Sequence, residues 1–331
     1  MNPAVSVILP VHNGGNYLAA AVSSILNQSL RNLELLLVDD RSDDGAIAGL
    51  DASDERLCVL SSRQPGVAGA FNYGLAHARG DFIARMDADD LSLPMRLEQQ
   101  LHYLENHPDV AICGGCVEIF SGEVLGAGNL RYQNWLNGCR SPEKIHREFF
   151  IESPIPNPTA MFRRDAIDRL GGYREPDWPE DYDLFLRADA AGIRMGKPAG
   201  VVLRWREHDQ RLTRTDPRYD IKRFQAAKAH FLVRQRVHGR PVVIWGAGPT
   251  GTLMHDLLTS EGAVIQGFLE VHPRRIGGLK RGLPVWPIEQ VTSLNEAFVL
   301  VAVGAAGARE KIGAYMLECG KKEGPDYLFV A

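Results

Sequence analysis

The chain has 331 residues, with 37 Lys and Arg against 41 Asp and Glu and a formal net charge of −4. That length supports two domains with sizeable cores, and the near-balanced charge excludes a general nucleic-acid binder. Five cysteines in so long a chain argue against a disulfide framework. No apolar run approaches the ~18 residues of a membrane span, and the first run is too short and lacks the basic lead of a secretion signal, so a cytoplasmic enzyme is expected.

Val5, Val7, Ile8, Leu9 and Val11 form a short apolar strand almost at the start. His12, Asn13, Gly14, Gly15 and Asn16 then read as a turn, and Leu18, Val22, Ile25 and Leu26 recur at helical spacing. A second apolar strand over 33–38 ends in Asp39, Asp40, Arg41, Ser42, Asp43, Asp44 and Gly45. A third, Phe82, Ile83 and Ala84, runs into Arg85, Met86, Asp87, Ala88, Asp89 and Asp90, after which Pro94 stops the strand and favours a helix start. Strands alternating with helices predict a parallel sheet, whose ligands gather at the carboxyl ends of the strands. All three polar loops sit at such ends, so one nucleotide site is expected there. Asp-x-Asp at a strand end presents hard oxygens suited to a Mg or Mn ion that also meets a diphosphate. Asp90 is expected to cap the following helix.

Residues 110–120 read as one apolar strand carrying Cys113, Gly114, Gly115 and Cys116; no second pair at zinc spacing follows, so these are expected to be buried thiols. Residues 153–159 form a proline-rich loop, and Gly171, Gly172 and Tyr173 a tight turn. Glu180, Asp181 and Asp183 open a helix with apolar Leu184, Phe185 and Leu186, where the helix dipole favours ionised carboxylates. From Arg204 to Arg240 there are eleven Lys and Arg against four acids, with Ile221, Phe224, Ala227, Phe231 and Leu232 as an apolar stripe. That pattern reads as a basic helix packed on the enzyme or linking domains, with peripheral contact to an anionic membrane as the other reading.

A further domain is expected from Arg240. Strands over 241–245, 264–270 and 298–304 alternate with helices, and Gly246, Gly248 and Gly251 match the dinucleotide fingerprint, with Glu270 where a ribose-binding acid belongs. The segment has no room for a dehydrogenase with its own substrate domain. The expected role is a nucleotide-binding or regulatory module, with NAD(P) or another nucleotide as ligand; the plainer reading is that the glycines serve strand–helix packing.

Taken together, the motifs 6–13, 38–45, 84–90, 94–100, 107–110, 171–173, 180–187 and 205–208 resemble family 2 glycosyltransferases of the GT-A fold. The resemblance covers roughly the first two thirds of the chain. It implies an α/β fold: a GT-A nucleotide-diphospho-sugar transferase domain over 1–215 with a mixed, mostly parallel sheet between helices, then a basic helical linker over 216–239. The segment 240–331 resembles the small Rossmann-like N-terminal domain of sugar acyltransferases. The implied activity is inverting, metal-dependent transfer from a nucleoside-diphosphate sugar to a saccharide or lipid-linked saccharide, in surface polysaccharide or glycolipid synthesis, in the cytoplasm or at the inner membrane face. By resemblance Asp40 reads the nucleobase, Pro10, His12 and Asn13 line its pocket, and Asp87 meets the ribose. Asp89 and His208 hold the metal, Asp181 is the catalytic base and Glu180 orients the acceptor. His12 stands where Tyr is common in the family. Two other readings remain: a nucleotide-sugar sensor or scaffold that has lost catalysis, and an NAD(P)-dependent sugar-modifying enzyme centred on the C-terminal domain.

Overall fold

The computed structural model describes residues 2–294 and 296–331. They divide into two compact units: residues up to His146 with Pro154–Pro217, and Arg147–Ser153 with Arg218–Ala331.

The strands of the first unit are β1 (Val5–Val11), β2 (Leu33–Asp39), β3 (Leu57–Ser61), β4 (Phe82–Arg85), β5 (Leu91–Ser92), β6 (Val110–Cys113), β7 (Cys116–Phe120), β8 (Met161–Arg163), β9 (Arg194–Gly196) and β10 (Val201–Arg206). Its helices are α1 (Leu18–Leu26), α2 (Gly66–His77), α3 (Arg96–Asn106), α4 (Ala127–Gly138), α5 (Pro142–Glu148), α6 (Arg164–Leu170), α7 (Glu180–Ala190) and the one-turn α8 (Leu212–Thr215). Seven strands make a mixed sheet in the order β3-β2-β1-β4-β8-β6-β9, with β8 antiparallel to both neighbours and the other pairs parallel. The whole of β1 is buried, as a central strand covered on both faces requires. Val11 pairs with Asp39 of β2, and Ile8 with Arg85 of β4, so the three polar loops leave the sheet side by side.

A second sheet, β5-β10-β7, completes the unit. The single strand expected over 110–120 is in fact two. Gly114 and Gly115 break it, sending β6 to the large sheet and β7 to the small one. A Cβ on Gly115 would lie 2.1 Å from Cγ2 of the fully buried Val202, so only glycine lets the chain cross there. Cys113 and Cys116 are buried free thiols, and burial pushes both above the usual thiol range.

The second unit holds α9 (Ile221–Leu232), α10 (Pro249–Ser260) and α11 (Ala308–Glu318) with strands β11 (Val242–Trp245), β12 (Ile265–Glu270), β13 (Leu279–Lys280), β14 (Leu283–Pro287), β15 (Phe298–Val301) and β16 (Tyr327–Phe329). Its sheet runs β13-β14-β12-β11-β15-β16, parallel except for β13. The basic helix α9 groups with this unit, burying Ala227, Ala229, Phe231 and Leu232. Among the described residues no helix is long and apolar enough to cross a membrane.

One core feature of the first unit carries a pH signature. Lys197, 3 % exposed, donates from Nζ to the carbonyl of Leu136 at 2.8 Å, and burial pushes its ammonium down to about 8. The unfolded chain therefore holds a proton that the folded chain releases between about 8 and the ordinary lysine value, and stability rises with pH across that window. Lys197→Met is expected to flatten this rise by about 1 kcal/mol per pH unit in urea unfolding between pH 8 and 10. Identical slopes in both proteins would assign the titration elsewhere.

Candidate active site

The loops after β1 and β2 are bound together by short polar contacts. Asp39 caps its own turn, its Oδ1 accepting the Ser42 N–H at 2.8 Å. Asp40 is buried; its Oδ2 accepts the Gly66 N–H at the start of α2 at 2.6 Å, and its Oδ1 accepts from Arg41 Nε at 3.2 Å. A carboxylate offers about four acceptor positions, so capacity remains for a base N–H. His12 Nδ1 lies 2.8 Å from the Asp40 carbonyl oxygen. Asn13, at φ 54, donates its N–H to Ser42 Oγ and accepts that of Asp43; Asn tolerates this left-handed backbone better than most residues. Pro10 lies buried within β1.

At the end of β4 the backbone turns out of the sheet and three acids converge: carboxylate oxygens of Asp87, Asp89 and Asp90 all lie within 4.8 Å of one another. His208, 119 residues beyond Asp89, places Nε2 2.9 Å from its Oδ2. The antiparallel pairing of β10 with β5, Leu203 to Ser92 and Arg204 to Leu91, brings the end of β10 to the acidic loop. The expected Asp89–His208 pair is thus assembled, but Asp90 is not the helix cap it was read as. Leu91 and Ser92 are strand, α3 begins at Arg96, and the Asp90 Oδ1 instead accepts the Arg206 N–H at 2.8 Å. Burial, with the charges of Asp89 and Asp87, pushes Asp90 well above the usual carboxylate range. Burial also raises Asp87, against the pull of Arg85, which forms an ion pair with it. Clustered hard oxygens, one of them (Asp90 Oδ2) buried without a partner among the described residues, together with an imidazole, are a donor set that fits Mg or Mn.

Sequence reasoning missed the groups that hold this cluster. Arg206 donates from Nε to the Asp89 carbonyl at 2.7 Å, its guanidinium lying 4.3 Å from the Tyr17 ring centre and 4.5 Å from that of Phe120. Tyr17 in turn packs on His208, ring centres 5.3 Å apart. The only sequence signal was an aromatic in the first loop and an arginine two residues before the histidine.

The acids at the start of α7 divide sharply. Asp183 is buried and paired with Arg187 at 2.7 Å, and Arg187 also donates to the carbonyls of Leu170 and Gly172. Glu180 is buried, whereas Asp181 is partly exposed with its Oδ1 accepting the Tyr182 N–H at 2.7 Å. Gly172, at φ 68, lies so close to Asn72 that a Cβ would meet Asn72 Oδ1 at 2.3 Å. Asn72 clasps Tyr173 through both its N–H and its C=O, at 2.9 and 2.8 Å. The buried Tyr173 hydroxyl donates to Asn157 Oδ1 of the proline-rich loop. Burial raises that hydroxyl's pKa, Arg85 opposes the rise, and Asp181, Glu180 and Asp87 add to it. One hydroxyl therefore feels both the acids of α7 and Asp87 of the β4 loop.

In the second unit Gly246 takes φ 114, and a Cβ on Gly251 would lie 1.8 Å from the Gly246 carbonyl oxygen, so both glycines are needed for α10 to pack on β11. Gly248 precedes α10 beside a cavity of about 540 Å³ that Arg275, Lys280 and Arg281 also line. Glu270 is held by its own loop: it accepts the N–H of Val271 at 2.9 Å and of His272 at 3.2 Å and pairs with Arg275 at 2.9 Å. Burial would raise its pKa, but these bonds bring it below the usual carboxylate value.

The family model described as Glycosyl transferase family 2 matches residues 6–171. EpsE of Bacillus subtilis (strain 168) is 33 % identical over 230 residues, spanning 66 % of this chain and 78 % of its own. The O-antigen biosynthesis glycosyltransferase WbnJ of Escherichia coli is 30 % identical over 212 residues, 62 % of this chain and 80 % of its own. The crystal structure of S. aureus TarS 1-349 in complex with UDP-GlcNAc superposes with a TM-score of 0.58 at 16 % identity, over 79 % of this chain and 71 % of that one, a likeness of fold. The chain belongs to glycosyl transferase family 2, and its α/β architecture is the GT-A glycosyltransferase fold expected from the motifs.

Arg206→Lys keeps the charge but loses the planar stack and the Nε–H bond. It is expected to cost about 1–2 kcal/mol, read as a lower urea midpoint at constant slope; an unchanged midpoint would show that the stack contributes nothing.

Proposed function

We propose that this glycosyltransferase moves a sugar from a nucleoside-diphosphate sugar to a hydroxyl acceptor, with inversion at the anomeric carbon, in the synthesis of a surface polysaccharide or glycolipid. The observation that carries the reading is the meeting of Asp89 and His208 at 2.9 Å, from loops 119 residues apart, beside two further carboxylates. The O-antigen role of the relative WbnJ supports the polysaccharide class.

Asp40 accepts a hydrogen bond from the base of the nucleotide, with His12 and Asn13 closing the same pocket and Pro10 beneath it. Asp87 meets the ribose side of the donor. Asp89 and His208 hold a Mg or Mn ion, which when bound offsets the negative charge that grows on the departing diphosphate. Asp181 takes the proton from the acceptor hydroxyl as that oxygen attacks the anomeric carbon, and the C–O bond to the nucleoside diphosphate breaks. Glu180 orients the acceptor. A single base on the face opposite the leaving group gives inversion.

The test is release of nucleoside diphosphate from UDP-, GDP- and dTDP-sugars with Mn or Mg, alone and with saccharide acceptors. Asp181→Asn is expected to lower turnover about a hundredfold or more with donor binding nearly intact. Asp89→Ala should abolish the metal-dependent release of nucleoside diphosphate. Full activity of Asp181→Asn would remove it as the base.

A further inference from the structure

One acid of the cluster has no task in the chemistry above. Asp90 is 1 % exposed and is drawn into the same 4.8 Å group of carboxylate oxygens as Asp87 and Asp89. Its Oδ1 accepts the N–H of Arg206. Its Oδ2 is closed to solvent and has no hydrogen-bond partner among the described residues.

Burying a carboxylate oxygen without a partner is costly, and two neighbouring carboxylates add to the cost. Strand tethering does not require that charge: an Asn would accept the same N–H without it. Helix capping is ruled out because α3 starts six residues later, at Arg96. None of the nearby guanidinium groups hydrogen-bonds Asp90 Oδ2, although Arg96 and Arg211 act on this acid through space. Arg96 donates to Gln100 Oε1, the Arg85 carbonyl and Met86 Sδ; Arg85 pairs with Asp87; Arg206 donates to the Asp89 carbonyl and lies against Tyr17 and Phe120. The retained oxygen thus has the chemistry of a cation donor, and among the described residues no side chain meets it directly.

We propose that Asp90 joins the two halves of the cation site: Oδ1 fixes the end of β10 so that His208 meets Asp89, and Oδ2 supplies a further anionic oxygen to the divalent ion. The inference rests on the cation reading of the proposed function and adds to it a residue outside the Asp-x-Asp pair. A side chain that bonds one ligand-bearing strand while facing the ion from the other loop links the position of His208 to ion binding.

The test is Mn2+ binding to the full-length protein, followed by electron paramagnetic resonance in the presence of UDP, with thermal melts of the same samples. Asp90→Asn keeps an acceptor for the Arg206 N–H but removes the charge. It is expected to weaken Mn2+ binding at least about tenfold, with a Tm in the absence of Mn2+ at or above that of the unsubstituted protein. Asp90→Ala also removes the acceptor, and should lose both Mn2+ affinity and Tm. Unchanged Mn2+ affinity in Asp90→Asn would overturn the inference alone. A fall in its metal-free Tm matching the fall in affinity would reduce Asp90 to a structural role and overturn it as well. Absence of Mn2+ binding by the unsubstituted protein would overturn the cation reading itself, and this inference with it.

Discussion

Three carboxylates held within 4.8 Å of one another at the end of β4 set the terms for everything around them. Like charges at that separation repel, and partial burial strengthens the repulsion. The surroundings answer with cations fixed in place. Arg85 pairs with Asp87, while the fully buried Arg96 runs beneath the loop to the Arg85 carbonyl. Arg211, packed over Trp205 and paired with Glu207, acts on both Asp87 and Asp90. Burial pushes Arg96 down to about 10, which still leaves it charged at neutral pH. Arg96 is oriented by Gln100, whose amide also donates to the carbonyls of Cys113, Gly114 and Thr159. The acidic loop is therefore braced through α3 to the break between β6 and β7 and to the turn that precedes β8.

What the sequence made legible was whatever repeats along the chain. The apolar runs of β1, β2 and β4 and the polar turns that end them point to the sheet, its carboxyl edge and the Asp-x-Asp candidates Asp87 and Asp89. Asp40 was legible only through the family pattern, as was His208. What stayed hidden lay across the chain. Nothing in the spacing of residues 110–120 shows that Gly115 must pass within a Cβ's reach of Val202, so one apolar run reads as one strand when it is two in different sheets. The partner of Asp90 is 116 residues away and is a backbone N–H, which has no sequence signature. A helix cap was the best local explanation for that acid, and a long-range contact displaced it.

The second unit shows the same limit. Its glycines were readable as a fingerprint, and the geometry gives two of them a packing reason that needs no ligand: the carbonyl of Gly246 occupies the space a side chain on Gly251 would take. Glu270 stands at the end of the second strand as a ribose-binding acid would, yet two backbone N–H groups and Arg275 already engage its oxygens. A diol would have to compete with bonds that hold the acid ionised. Position in a motif and availability for binding are separate properties, and only the second requires coordinates.

The start of α7 shows how such availability is apportioned. The helix dipole favours all three acids of its first turn equally in kind. Tertiary contacts then separate them. Asp183 is committed to Arg187, and that ion pair reaches through Arg187 to the carbonyls of Leu170 and Gly172, holding the turn that carries Tyr173. Asn72 grips the same turn from α2. Glu180 is enclosed, while Asp181 keeps partial access to the surface. A proton acceptor must touch its substrate, so exposure, rather than charge or helix position, favours Asp181 among the three as the base. The buried pair beneath it fixes the frame from which it would act.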